Sequence, residues 1–159
     1  MTHTAEEVIA YKRARFSTRL PVARRYTLSH FWIREQEPGV WRVGFTKFAA
    51  RMLGEMVEYE FSVPAGVRVE IGQPIGWVEG FKAVSDVYSV VEGEFLGANP
   101  GLAQDITWVD SDPYQKGWFY QVRGVPDGNA VDVHGYVAAL DATIDKMLAS
   151  RYYKGDANA

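Results

Sequence analysis

A chain of 159 residues with 47% hydrophobic and 14% aromatic side chains holds enough apolar material for one folded domain with its own core. Its formal net charge of −3 and isoelectric point near 5.6 give nucleic-acid binding little electrostatic basis, and the absence of cysteine excludes disulfides, thiolate nucleophiles and cysteine-ligated zinc. No apolar run approaches the roughly 20 residues that span a bilayer, and the first residues lack the apolar centre of a secretory signal.

The amino-terminal segment is locally basic through Lys12, Arg13, Arg15, Arg19, Arg24 and Arg25, but Glu6 and Glu7 are atypical of an organellar transit peptide. The expectation is a monomer of the cytoplasm that binds neither nucleic acid nor membrane. Residues 1–24 read as an extension: Val8, Ile9, Tyr11 and Lys12 fit a short helix from Ala5 to about Ala14, with Thr4 as its cap. Phe31 to Arg34 and Val40 to Val43 then read as a β-hairpin turning through Glu37-Pro38-Gly39. Thr46 caps a short helix from Lys47 to Leu53, and Gly54 ends it.

Alternation over Met56 to Val63 predicts a strand with one solvated face, stopped by Pro64 and Gly66. Gly66, Gly72 and Gly76 punctuate the chain up to a further strand, Ile75-Gly76-Trp77-Val78, and Val87 to Leu96 supplies the next. Asn99-Pro100-Gly101 closes it, a short turn or helix leads to Ile106-Thr107-Trp108-Val109, and Trp118 to Arg123 forms the last strand. Beyond a linker at Gly128-Asn129, Val137, Leu140, Ile144, Met147 and Leu148 fall on one face of a carboxy-terminal helix over residues 130–153, expected to pack on the sheet. The fold class is mainly β, with short helices and this terminal helix.

Lys82 lies between two of these strands, in Glu79-Gly80-Phe81-Lys82-Ala83-Val84-Ser85-Asp86-Val87. A single lysine is usually just solvated surface, and Glu79 and Asp86 read equally well as solubilising turn residues. Nothing else in the chain offers a chemical focus. His3, His30 and His134 lack metal-ligand spacing, Ser29-His30 alone makes no triad, and no glycine-rich phosphate loop appears. No residue is expected to be catalytic and no metal is expected.

The Lys82 segment is similar to the lipoyl-attachment region of the glycine cleavage H protein, Glu-Ser-Val-Lys-Ala-Ala-Ser-Asp-Val-Tyr-Ser-Pro-Val-Ser-Gly-Glu. Glu79, Lys82, Ala83, Ser85, Asp86, Val87, Tyr88, Ser89, Val91, Gly93 and Glu94 are kept. Tyr26-Thr27-Leu28-Ser29-His30-Phe31-Trp32 resembles that family's Tyr-Thr-x-Ser-His-Glu-Trp. Val43-Gly44-Phe45-Thr46 with Ala49, Leu53-Gly54-Glu55, and Asp110 to Trp118 resemble further blocks in the same order. The likeness covers about Arg25 to Arg123.

The resemblance implies a lipoyl-type carrier over residues 25–125 with the flattened barrel-sandwich hybrid fold of lipoyl domains, and lipoate bound as an amide to Lys82. Such an arm reaches on the order of 14 Å from the backbone and lets one carrier visit several active sites. The resemblance also implies that the attachment enzyme reads Glu79, and that Ser29, His30, residue 31 and Asp86 meet the arm in a cleft. Phe31 stands where the family has a glutamate that helps to hold an aminomethyl-loaded arm, and phenylalanine offers a cation only its ring face. That departure and the unmatched ends point first to an H-like lipoate-binding protein of the heterodisulfide-reductase-like sulfur-oxidation system. The alternative is the H protein of glycine cleavage, whose partners are the lipoate-attachment enzyme, the glycine cleavage enzymes and dihydrolipoyl dehydrogenase. A biotinyl carrier fits less well, since its Met-Lys-Met differs from Phe81-Lys82-Ala83, and an unmodified interaction domain is the reading of another class.

Overall fold

The computed structural model describes residues 6–157, with backbone alone over 152–157. It opens not with the expected helix but with two strands, β1 (Val8–Arg13) and β2 (Phe16–Pro21), paired antiparallel from Val8 opposite Pro21 to Arg13 opposite Phe16. The reason is period two. Along β1, Ile9 and Tyr11 turn inward while Val8, Ala10 and Lys12 are exposed, and along β2 Phe16 and Leu20 are buried between exposed Ser17 and Arg19. Thr4, the expected cap, lies outside the described residues.

The chain continues through β3 (Arg25–Tyr26), β4 (Phe31–Glu37) and β5 (Val40–Phe45), the last two forming the predicted hairpin. Then α1 (Lys47–Leu53) follows with both of its predicted caps: the Thr46 hydroxyl accepts from the Ala49 amide at 3.3 Å, and the Gly54 amide reaches the Ala50 carbonyl at 3.0 Å. Next come β6 (Met56–Phe61), β7 (Arg68–Val69), β8 (Pro74–Gly80), β9 (Val84–Tyr88) and β10 (Val91–Ala98). A 3-10 turn over Pro100–Ala103 leads to α2 (Trp108–Ser111), β11 (Tyr120–Pro126) and the long α3 (Val133–Ala157).

All the pairings are antiparallel. A six-stranded sheet, ordered β3-β4-β5-β11-β10-β7, faces a three-stranded sheet, β6-β8-β9. Both orders are open, so the two layers sandwich a core without closing into a barrel. Ile33, Val43, Phe95 and Val122 of the larger sheet meet Ile75, Val78 and Val87 of the smaller one in that core. A second core gathers Leu20, Tyr26, Trp32, Phe48, Tyr136 and Leu140 between the β1–β2 hairpin, the β3–β4 edge and α3. β4 belongs to both: Phe31 and Ile33 point into the first core and Trp32 into the second.

The buried stripe of α3 is Val133, Tyr136, Leu140 and Ile144, spaced for one helical face. The predicted stripe is right at Leu140 and Ile144, but Met147 and Leu148 are each 42% exposed. The helix outruns what it covers, and it packs on β1 and β3 rather than across the main sheet. Tyr136 stacks on Tyr26 at 4.7 Å, the Tyr11 hydroxyl donates to Asp141 at 2.8 Å, and Arg13 grips Asp145 through two 2.8 Å bonds. No helix among the described residues is long and apolar enough to cross a membrane.

Candidate functional site

Lys82 sits at the tip between β8 and β9, a tip closed by the Gly80 amide on the Ala83 carbonyl at 2.9 Å. This tip is docked, not waving. The Lys82 amide donates to the Leu53 carbonyl at 2.9 Å, the Phe81 amide to the Glu55 carbonyl at 3.0 Å, and the Lys82 Nζ lies 3.4 Å from the Arg51 carbonyl. The last carbonyls of α1, which have no partner within the helix, are thus met by the tip. Close approach requires glycine twice. A Cβ on Gly80 would land on the Leu53 carbonyl oxygen, and one on Gly54, already at φ 78°, would come within 2.9 Å of Lys82 Cγ. Gly80 thus makes room for the end of α1.

Around the tip the side chains are exposed, including Phe81 at 76% and Val84 at 67%. Beside it a cleft of about 430 Å³ opens between the start of β4, one face of α1 and β9. Ser29, His30 and Phe31, which are consecutive, and Asp86, from a distant part of the chain, all line it, together with Ala83 next to Lys82. Glu79 does not. It sits half-buried on β8, between Glu58 of β6 and Val84 of β9.

The walls are apolar: Phe31, buried and 5.1 Å from the Phe45 ring, with Phe48, Met52 and Leu53 from α1. These α1 residues were not expected at the site, although Phe48 and Met52 stand four apart on a helix whose caps both showed in the sequence. Asp86 is the only carboxylate among the described residues lining the cleft, and the Tyr88 hydroxyl approaches it at 3.5 Å.

His30 is fixed from three sides. Its backbone is left-handed at φ 71°, its Nδ1 is 2.9 Å from the Tyr136 hydroxyl, which in turn is 2.7 Å from Thr46 Oγ1, and its ring lies 4.7 Å from that of Phe48. Burial holds its pKa down to about 4, so the imidazole is neutral near pH 7. Thr27 orders the adjoining turn by accepting from the Phe31 amide at 3.1 Å and meeting Ser29 Oγ at 2.9 Å. An exposed lysine beside a roomy apolar trough suits a long acyl arm with a sulfur ring at its end.

The family model for the glycine cleavage H-protein matches residues 24–140. The chain belongs to that family. Among its relatives are the glycine cleavage system H proteins of Shewanella sp. (strain ANA-3), 35% identical over 125 residues that span 77% of this chain and 96% of that protein, and of Edwardsiella ictaluri, 34% identical with 77% and 97% covered. The crystal structure of a glycine cleavage system H protein from Mycobacterium marinum superposes with a TM-score of 0.67 at 31% identity, covering 75% of this chain and 97% of that one. Like the rest of the H-protein family, this member is a lipoyl carrier without catalytic activity of its own, and the family's lipoate is covalently bound to a lysine. β1, β2 and the last turns of α3 fall outside the matched residues.

Proposed function

We propose that this protein bears lipoate on Lys82 as the H protein of a glycine cleavage system, serving in the cytoplasm as a monomer. The observation that carries the reading is the docked Lys82 tip beside an apolar cleft whose lining, among the described residues, holds one carboxylate. When bound, lipoate supplies a ring disulfide that takes up a one-carbon amine fragment or a pair of electrons. The chain's own residues seat and shield it. The α1 contacts aim Lys82 Nζ, and the walls of Phe31, Phe48 and Met52 keep water from the cargo. Asp86 offers a negative partner to a cationic amine, and neutral His30 adds no charge against it. Asp86 thus stands in for the carboxylate that Phe31 does not provide.

Glu79 is the acidic mark read by the attachment enzyme. The further partners are the decarboxylase and aminomethyltransferase of glycine cleavage and dihydrolipoyl dehydrogenase. The relatives named above, glycine cleavage H proteins by name, favour this reading over the sulfur-oxidation carrier expected first. Phe31 and the ends outside the family match are the observations on the side of the latter. Two measurements decide. Intact mass of the chain from a lipoate-competent host should show one lipoyl addition, lost in Lys82→Arg with the fold retained, and an addition that survives the substitution removes Lys82 from the role. The loaded carrier should then accept aminomethyl from the glycine decarboxylase, with Asp86→Asn raising the KM for carrier about tenfold, whereas refusal by the wild-type carrier would transfer the role to the sulfur-linked system.

A further inference from the structure

A second cavity, of about 380 Å³, lies where the β1–β2 tip, α1 and the end of α3 meet. Its apolar lining includes buried Phe16, Phe48 and Ile144, together with Met52, Met147 and Leu148, which are 43%, 42% and 42% exposed. Four arginines rim it: Arg13, Arg15, Arg51 and Arg151. Arg13 is occupied by Asp141 and Asp145, but the other three form no ion pair among the described residues, and no carboxylate among those residues lines the cavity. A chain of net charge −3 has here concentrated unpaired positive charge around apolar surface.

The position is as telling as the composition. Phe48 and Met52 belong to this cavity and to the arm cleft, so the two recesses share one wall of α1. The remaining sides come from the β1–β2 hairpin and the last described turns of α3, outside residues 24–140. The segments that set this chain apart from its relatives are those that build the groove.

We propose that this groove docks an acidic segment of a partner protein, with an apolar anchor side chain in the recess and flanking carboxylates on Arg15, Arg51 and Arg151, holding that partner beside the lipoyl arm. A cationic rim steers and orients a segment of opposite charge, and exposed methionines adapt to an inserted side chain. The apolar groups line a concavity, which suits a protruding side chain better than a flat lipid surface. The assignment stands whichever cargo the arm carries.

The test uses the full lipoylated chain, methyl-labelled at methionine, titrated with a short synthetic peptide of leucine and phenylalanine flanked by glutamates. Shifts at Met52 and Met147 are expected, with affinity falling about tenfold when the glutamates become glutamines or in Arg15→Glu/Arg151→Glu. Both substituted residues are exposed, and an unchanged thermal midpoint confirms the variant's fold; should it unfold, Arg151→Glu alone serves. Undisturbed methionines, equal binding of the glutamine peptide, or unchanged affinity in the variant overturns the proposal. So does sedimentation of the chain with phosphatidylglycerol vesicles while the peptide leaves it unaffected.

Discussion

Phe31 and His30 are neighbours with opposite constraints. Phe31 is 5% exposed and packed on Phe45, so restoring the family's glutamate there would bury a carboxylate among rings and lose an aromatic contact. Phe31→Glu should cost about 3 kcal/mol in urea unfolding, a result that marks position 31 as having become part of the core. His30, with its folded pKa near 4 against an ordinary 6.5, is more readily protonated when unfolded. Its contribution is therefore fully present above pH 6.5 and is lost as pH falls toward 4, to the order of 3 kcal/mol. His30→Asn, which tolerates the left-handed backbone, should flatten the difference in unfolding free energy across that window; a wild-type and variant that stay parallel between pH 6.5 and 4 would dismiss the imidazole as its source.

Among the elements, the union of α1 with the β8–β9 tip does most to set the lysine. Gly80→Ala should cost at least about 2 kcal/mol, since the backbone must retreat from the Leu53 carbonyl, and should slow acylation of Lys82 through a lower kcat as the amine loses its aim. A variant both stable and normally acylated would show the docking to be incidental. Much of this region was legible beforehand because its signals are local: a hydroxyl and a glycine bracketing α1, proline and glycine in the β4–β5 turn, and an unusual segment around Lys82. The cleft was legible only in part. Ser29, His30, Phe31 and Asp86 came from family likeness, whereas Phe48 and Met52 required knowing which side of α1 faces β9. β1 was misread because Val8, Ile9 and Tyr11 satisfy a helical count as well as a strand's, and only Leu20 and Phe16 across the hairpin decide between them. Met147 and Leu148 continue a helical stripe in the sequence, yet the body beneath α3 ends before they do.

At the scale of the molecule, the β1–β2 hairpin is tied to the rest by few but specific bonds. Arg24 has a fully buried side chain, 4.3 Å from the Trp32 ring, and its only carboxylate partner among the described residues is Glu6, which it meets through Nε at 3.1 Å and Nη2 at 2.9 Å while Nη1 finds no partner. Glu6→Gln would strand that cation. Because Glu6 is itself partly exposed, the expected loss is about 2 kcal/mol rather than the larger value of a fully enclosed pair, read as a lower thermal midpoint; an unaltered midpoint would mean the ring faces of Trp32 and Tyr114 suffice. β4, with Phe31 and Ile33 in one core and Trp32 in the other, makes the two ends of the protein interdependent. Neither half can melt while the other keeps this shared spine, so heating should produce a single calorimetric peak, and the slowest amide hydrogens to exchange should be those of Phe31 to Ile33, where successive side chains are sealed on opposite faces.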